Sequence, residues 1–84
     1  GMNHAAIIEA LGGYEAVGRE VGVHGRRVHH WKKSGIPVRH WMAVAALAGR
    51  KGVAGVTFEG IAATHPSPSK EGELAKLAYA AGRA

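Results

Sequence analysis

The chain has 84 residues, no cysteine and a formal net charge of +5 at pH 7. This length suits one small domain, and the missing cysteines exclude disulfides and thiolate-bound zinc, so a compact apolar core has to supply the stability. No apolar run approaches the roughly 20 residues that cross a bilayer, and no secretory-signal pattern opens the chain. These absences lead us to expect a cytoplasmic protein that does not associate with membranes.

The residue pattern predicts an all-α fold of five or six helices. Alanine is abundant, and β-branched residues do not alternate with polar ones over the length of a strand. Asn3 and Thr57 are good N-cap residues, and Gly22 suits a left-handed helix end. Pro37 suits the first turn of a helix, where its missing N–H is harmless. The first five predicted helices cover residues 3–11, 14–21, 24–33, 36–50 and 58–63.

Residues 64–84 are predicted to form a linker and a C-terminal helix, separate from a helical domain over residues 2–63. Proline and serine alternate directly after His65, which indicates a turn or linker. Leu74, Leu77, Ala78 and Ala81 then repeat at i, i+3, i+4 and i+7. This stripe favours a helix that packs on its own domain or on a second subunit. A frayed terminus is the simpler alternative.

Residues 14–33 have the layout of a helix–turn–helix, two helices joined by a tight turn. Gly18 is small where the two helices must approach each other, and Gly22 supplies the turn. The positions predicted to pack inward are all apolar, namely Val17, Val21, Val23, Val28 and Trp31. Trp41, in the next predicted helix, is also expected to lie in the core.

The positive charge is concentrated on this part of the chain. Residues 21–51 hold seven Lys or Arg and no acid, whereas the rest holds four basic residues and six acids, a net −2; seven minus two gives the +5 of the chain. Helical spacing places Arg26, His29, His30 and Lys33 on the outer face of the third helix, with Arg27 beside them. Since arginine pairs with guanine in the major groove, this pattern predicts binding to double-stranded DNA. A merely solvated basic surface is the alternative.

Two segments carry a family resemblance: LGGYEAVGREVGV over residues 11–23 and VHHWKKSGIP over residues 28–37. They resemble the Cro-type repressors of phages and prophages, including the YdaS-like group, in which a tryptophan followed shortly by Gly-Ile-Pro is typical. The resemblance covers about residues 5–62. It implies a compact lambda-repressor-like DNA-binding domain that binds a pseudo-palindromic operator as a homodimer, with the third helix as the recognition helix.

The same resemblance implies roles for individual residues. Gly25, Arg26, Arg27 and His30 stand where such proteins touch base edges or adjacent phosphates. Tyr14 stands where relatives often have a glutamine that grips a phosphate, and His24 replaces the usual Ser or Thr of the turn, so the phosphate contacts stay open. Together with the helical face, the candidate DNA-binding residues are Tyr14, His24, Gly25, Arg26, Arg27, His29, His30 and Lys33.

The sequence also bears on functions other than DNA binding. The six histidines suggest a metal, but adjacent His29 and His30 point about 100° apart on a helix, and no acid or cysteine stands near enough in sequence to complete a site. We therefore expect no metal, no cofactor and no catalytic site. Two alternatives stay open: an antitoxin-like regulator that also grips a partner protein through its C-terminal region, and a protein-interaction module that lost DNA binding. RNA binding is less favoured, because the outer face lacks stacking aromatics.

Overall fold

The computed structural model describes residues 2–65, which form five α-helices and one short 3-10 helix. No β-strand occurs within these residues, so the predicted all-α class is confirmed for this part of the chain. In chain order the elements are α1 (His4–Ala10), α2 (Tyr14–Val21), α3 (Gly25–Ser34), the 3-10 helix (Val38–His40), α4 (Trp41–Lys51) and α5 (Phe58–Ala63). The predicted linker beyond residue 65 and the predicted C-terminal helix lie outside the described residues.

The ends of these helices follow local capping rules. The Asn3 side chain accepts a hydrogen bond from the Ala6 N–H at 2.8 Å, and Thr57 caps α5 through the Gly60 N–H at 3.0 Å. Gly22 ends α2 in the left-handed conformation, with φ 80°. All three caps were predicted from residue type, and α2 has the predicted bounds.

The predicted start of the fourth helix is wrong. Residues 36 and 37 are not helical; the 3-10 helix Val38–His40 follows them, and α4 begins only at Trp41. Pro37 is extended, with ψ 143°. Both backbone groups of Ile36 are hydrogen-bonded to side chains: its N–H donates to His4 Nδ1 at 2.8 Å, and its carbonyl accepts from Trp41 Nε1 at 2.6 Å. Because Pro37 is extended and the residue before a proline disfavours the α conformation, no helix begins at Ile36.

One apolar core holds the five helices together. Trp31 and Trp41 are both buried, as predicted, whereas Val21 and Val23 are only half-buried at its margin. The buried apolar residues are Ile7, Ile8, Leu11, Val17, Val28, Trp31, Ile36, Trp41, Val44, Leu47, Ala48, Val56 and Ile61. Complete burial of side chains of this size stabilises a fold by about 1.5–3 kcal/mol each. None of the helices within residues 2–65 has the length and apolar content that spanning a membrane requires.

His4, the first residue of α1, is a buried polar residue beside this core. Its side chain is 1% exposed. Its Nε2 donates to the Ile61 carbonyl at 2.6 Å, while its Nδ1 accepts from the Ile36 N–H. The ring is therefore the neutral tautomer protonated on Nε2. Burial lowers the pKa of His4; the bond to Ile61 opposes this shift, and the neighbouring His65 adds to it.

His4 was not predicted to lie in the core, although the sequence holds a signal for it. His4, Ile7, Ile8 and Leu11 follow the spacing i, i+3, i+4 and i+7, which places the histidine on the buried stripe of α1. Its two backbone partners lie 32 and 57 residues away in sequence. Only the folded structure identifies them.

Gly18 allows α2 to pack against the turn and the start of α3. A Cβ atom at this position would lie 2.6 Å from the Val23 carbonyl oxygen and 3.3 Å from the Gly25 nitrogen. Both neighbours are backbone atoms, so neither moves away without shifting a helix. The close approach predicted at Gly18 is therefore present, and it places α3 relative to α2.

We expect Gly18→Ala to lower the free energy of unfolding by about 1–3 kcal/mol, because the added methyl group overlaps fixed backbone. The matched control is Gly49→Ala in α4, where an added Cβ meets nothing within 4 Å. That variant should be stabilised by up to about 1 kcal/mol through its helix propensity. Urea denaturation measures both. Equal effects of the two substitutions would contradict the close-approach explanation.

The fold should lose stability as the pH falls below about 6.5. The pKa of His4 is lowered in the folded state from its usual 6.5, so the unfolded chain takes up a proton at this site first, and unfolding is favoured. Full stability is present above the unfolded pKa and is lost as the pH falls toward the lower folded pKa. Urea denaturation between about pH 5 and 7.5 measures this loss.

The comparison protein for this pH series is His4→Gln, which keeps one donor and one acceptor but does not titrate. Its loss of stability over the same range should be smaller than that of the unsubstituted protein. A residual dependence is expected from His40, because burial, with a contribution from Arg39, lowers the pKa of that residue as well. The same loss in both proteins would show that His4 is not responsible.

Candidate nucleic-acid interface

The two sides of α3 differ in burial and charge. Val28 and Trp31 are buried in the core, at 0% and 4% exposure. The opposite side is exposed at Arg26, Arg27, His29, His30 and Lys33. This division confirms the predicted amphipathic character of the helix. The inner side anchors the helix, and the outer side is free to contact a partner.

The start of α3 packs against the start of α2. His24 is the N-cap of α3, and its Nδ1 accepts from the Arg26 N–H at 3.1 Å. Gly25 lies so close to α2 that an added Cβ would be 3.1 Å from Glu15 Cγ and 3.3 Å from Tyr14 Cδ2. The half-buried Gly25 therefore contributes close packing and backbone rather than a side chain.

The predicted site residues form one continuous surface. One shallow depression is lined by His24, Arg26, Arg27 and His30, and the next by Tyr14, Glu15, His24, Arg26 and His29. A third is lined by His29, His30, Lys32 and Lys33. We call the surface of these predicted residues the α3 face; its members are Tyr14, His24, Gly25, Arg26, Arg27, His29, His30 and Lys33.

Tyr14 is held in place by two residues of α3. The edge of its ring meets the His29 ring, with centroids 5.4 Å apart, and Lys32 Nζ lies 5.6 Å from the Tyr14 centroid. The tyrosine is nevertheless 40% exposed. Its orientation at the edge of the α3 face is thus coupled to the outer side of α3.

The cations at and around the α3 face differ in their partners. Lys32 Nζ lies 2.6 Å from Glu9 Oε1 of α1, so the charge of this lysine is compensated. Arg50 of α4 is likewise paired with Glu20 of α2. Within residues 2–65, Arg26, Arg27 and Lys33 take part in no ion pair, and these three residues supply the fixed positive charge of the α3 face. Charges of one sign on a single surface attract polyanions.

His40 lies beneath the α3 face and not on it. Its ring stacks on Trp31, with centroids 5.0 Å apart and 30° between the planes. Burial, with a contribution from Arg39, lowers its pKa. The described part of the chain contains no group of three or more His, Cys, Asp or Glu residues placed to hold a metal ion.

Two features of this surface were not predicted: the place of Glu15 at its edge, and the ion pair between Lys32 and Glu9. Glu15 follows Tyr14 directly, and this adjacency is the signal that could have placed it at the edge of the α3 face. The pairing of Lys32 joins residues 23 positions apart, and no local pattern indicates it.

No family model, curated protein or solved structure matches the chain. The function of the α3 face is therefore inferred from its own residues and charges, together with the resemblance noted in the sequence.

We expect His24→Ala to lower the free energy of unfolding by about 1 kcal/mol, because the Arg26 N–H loses its capping acceptor. His24→Asn replaces the imidazole with a side chain that also caps well, and it should keep the stability of the unsubstituted protein. Thermal or urea denaturation distinguishes the two variants. Equal destabilisation by both would mean that His24 contributes through ring contacts instead of the cap.

Proposed function

We propose that the protein is a sequence-specific DNA-binding transcriptional regulator, a cytoplasmic, non-catalytic Cro-like repressor of the phage or prophage type. In this proposal the pair α2–α3 is a helix–turn–helix and α3 is the recognition helix. The observation that carries the proposal is a set of three cations, Arg26, Arg27 and Lys33, without ion-pair partners in residues 2–65. They lie on the outer side of a helix whose inner side is anchored by Val28 and Trp31.

The dimensions and chemistry of α3 suit the major groove. Its ten residues span about 15 Å, and a major groove about 12 Å wide admits an α-helix. Arg26 and Arg27 lie in the first turn, the part of a recognition helix that reaches base edges. An arginine there pairs with the O6 and N7 atoms of guanine, which specifies sequence. His30 is one turn further along on the same side.

Affinity would come mainly from phosphates. Each phosphate that a lysine or arginine neutralises releases bound counterions, a gain that does not depend on sequence. Lys33, near the end of α3, and Tyr14, at the start of α2, stand at the borders of the α3 face, where the two DNA backbones would pass. Binding as a homodimer would place two α3 helices in successive major grooves, about 34 Å apart.

One observation favours a protein-binding alternative. Met42 is 65% exposed, and it lines an apolar groove between α4 and α5 together with Ala45, Ala46, Val56 and Phe58. A protein-interaction module without DNA affinity would use such a surface for a partner protein, whereas the antitoxin-like regulator would grip its partner through the C-terminal region. The protein-interaction module would not bind duplex DNA even at low salt.

The test of the proposal is selection of bound duplexes from a randomised library at near-physiological salt, followed by sequencing. Enrichment of an inverted repeat with half-sites about one helical turn apart is expected. Binding without enrichment would leave only non-specific attraction to phosphates, and no binding would favour the protein-interaction module.

Two variants refine this experiment. Arg26→Ala should relax the preference at one base pair of each half-site, reducing discrimination there by about 1–3 kcal/mol. Lys33→Ala should weaken binding to all duplexes alike and reduce the slope of log K against log salt by about 1 for each phosphate that is no longer neutralised. Uniform weakening on all sequences by Arg26→Ala would refute its assignment to base reading.

A further inference from the structure

An acidic residue lies at the edge of the α3 face. Glu15 is exposed, and it lines the same depression as Tyr14, His24, Arg26 and His29. It stands in the first turn of α2 and packs against the start of α3, where its Cγ would lie 3.1 Å from a Cβ at Gly25. The aliphatic part of Glu15 thus packs against the start of α3, and its side chain shares a depression with Arg26.

Glu15 differs from other carboxylates in its surroundings. Glu9 and Glu20 are each compensated by a basic residue, Lys32 and Arg50 respectively. Glu15 takes part in no ion pair within residues 2–65. Its charge therefore subtracts from the positive charge of the α3 face, and it repels any phosphate that approaches the start of α3. A surface built only to attract polyanions gains nothing from this group.

A base edge can donate a hydrogen bond to the carboxylate, whereas a phosphate offers only acceptor oxygens. In the major groove, cytosine presents the N4 amino group, a donor that glutamate accepts from. Adenine also presents an amino group, but its neighbouring N7 is an acceptor whose lone pair faces an incoming carboxylate unfavourably. Cytosine is therefore the base that a carboxylate at this position fits best.

We propose that Glu15 is a specificity-determining residue that accepts a hydrogen bond from the N4 amino group of a cytosine in the target DNA. On DNA without that donor, the uncompensated carboxylate weakens binding. Glu15 thus raises the ratio of specific to non-specific affinity. This inference rests on the proposed DNA-binding function, because it assigns one base contact within the same α3 face.

A purely structural role predicts different behaviour. A glutamate in the first turn of α2 also interacts favourably with the positive end of that helix. Removal of this interaction lowers stability but leaves base preferences unchanged. Base preference and the affinity ratio are therefore the readouts that separate the two roles.

The experiment compares the full chain with Glu15→Gln in the duplex selection. Glutamine pairs with adenine through N6 and N7, so the variant should replace an enriched cytosine by adenine at one position of each half-site. The affinity ratio between the selected duplex and a scrambled one should fall at least about fivefold, partly because the scrambled duplex binds more tightly.

The matched control is Glu20→Gln, which makes the same change of charge on the same helix. Glu20 lies about 140° around α2 from Glu15 and faces Arg50 of α4. This variant should keep the base preferences of the unsubstituted protein, and its affinity ratio should stay within about twofold of that protein.

The outcomes separate this inference from the proposed function. If the unsubstituted protein enriches a sequence and Glu15→Gln enriches the same one with the same affinity ratio, the inference is overturned and the proposed function stands. If Glu15→Gln changes only the melting temperature, the inference is likewise overturned and the proposed function stands. If the unsubstituted protein enriches no sequence, the proposed function fails and the inference fails with it. A change from cytosine to adenine at one position supports both.

Discussion

The contact between the backbones of α2 and α3 is the constraint on which the rest of the structure depends. Gly18 lets the Val23 carbonyl approach α2 more closely than a Cβ allows, and Gly25 leaves room for the side chains of Tyr14 and Glu15 against the start of α3. The left-handed Gly22 turns the chain between them. Because the two helices are held backbone to backbone, side chains from both reach one surface, and the α3 face is continuous across two elements.

The same ten residues of α3 serve the core and the surface. Val28 and Trp31 are buried among the other helices, and Trp31 is backed on its far side by the ring of His40. This packing opposes the mutual repulsion of the exposed cations Arg26 and Arg27, which have no ion-pair partner within residues 2–65. The backbone of a helix anchored in this way has a fixed position, so in the proposed binding to DNA only its exposed side chains would have to become ordered.

Local patterns predicted much of the fold, and long-range contacts account for what they missed. The bounds of α2, the caps at Asn3 and Thr57 and the two sides of α3 follow from residue type and helical spacing, which act over a few residues. The start of α4 does not, because Pro37 is extended where the backbone of Ile36 bonds to His4 and Trp41. The place of Glu15 beside α3 likewise depends on the distance between two helices. For the candidate site, helical spacing predicted which residues of α3 are exposed. Which of the charged residues form ion pairs could be learned only from the folded structure.

His4 links the two ends of the described chain. Its two ring nitrogens bond to residues 32 and 57 positions further along the chain. Displacement of α5 would leave the buried Nε2–H of His4 without its acceptor, and an unpaired buried donor is costly. We therefore expect α1 and α5 to open together rather than to fray separately, although they lie at opposite ends of the described residues.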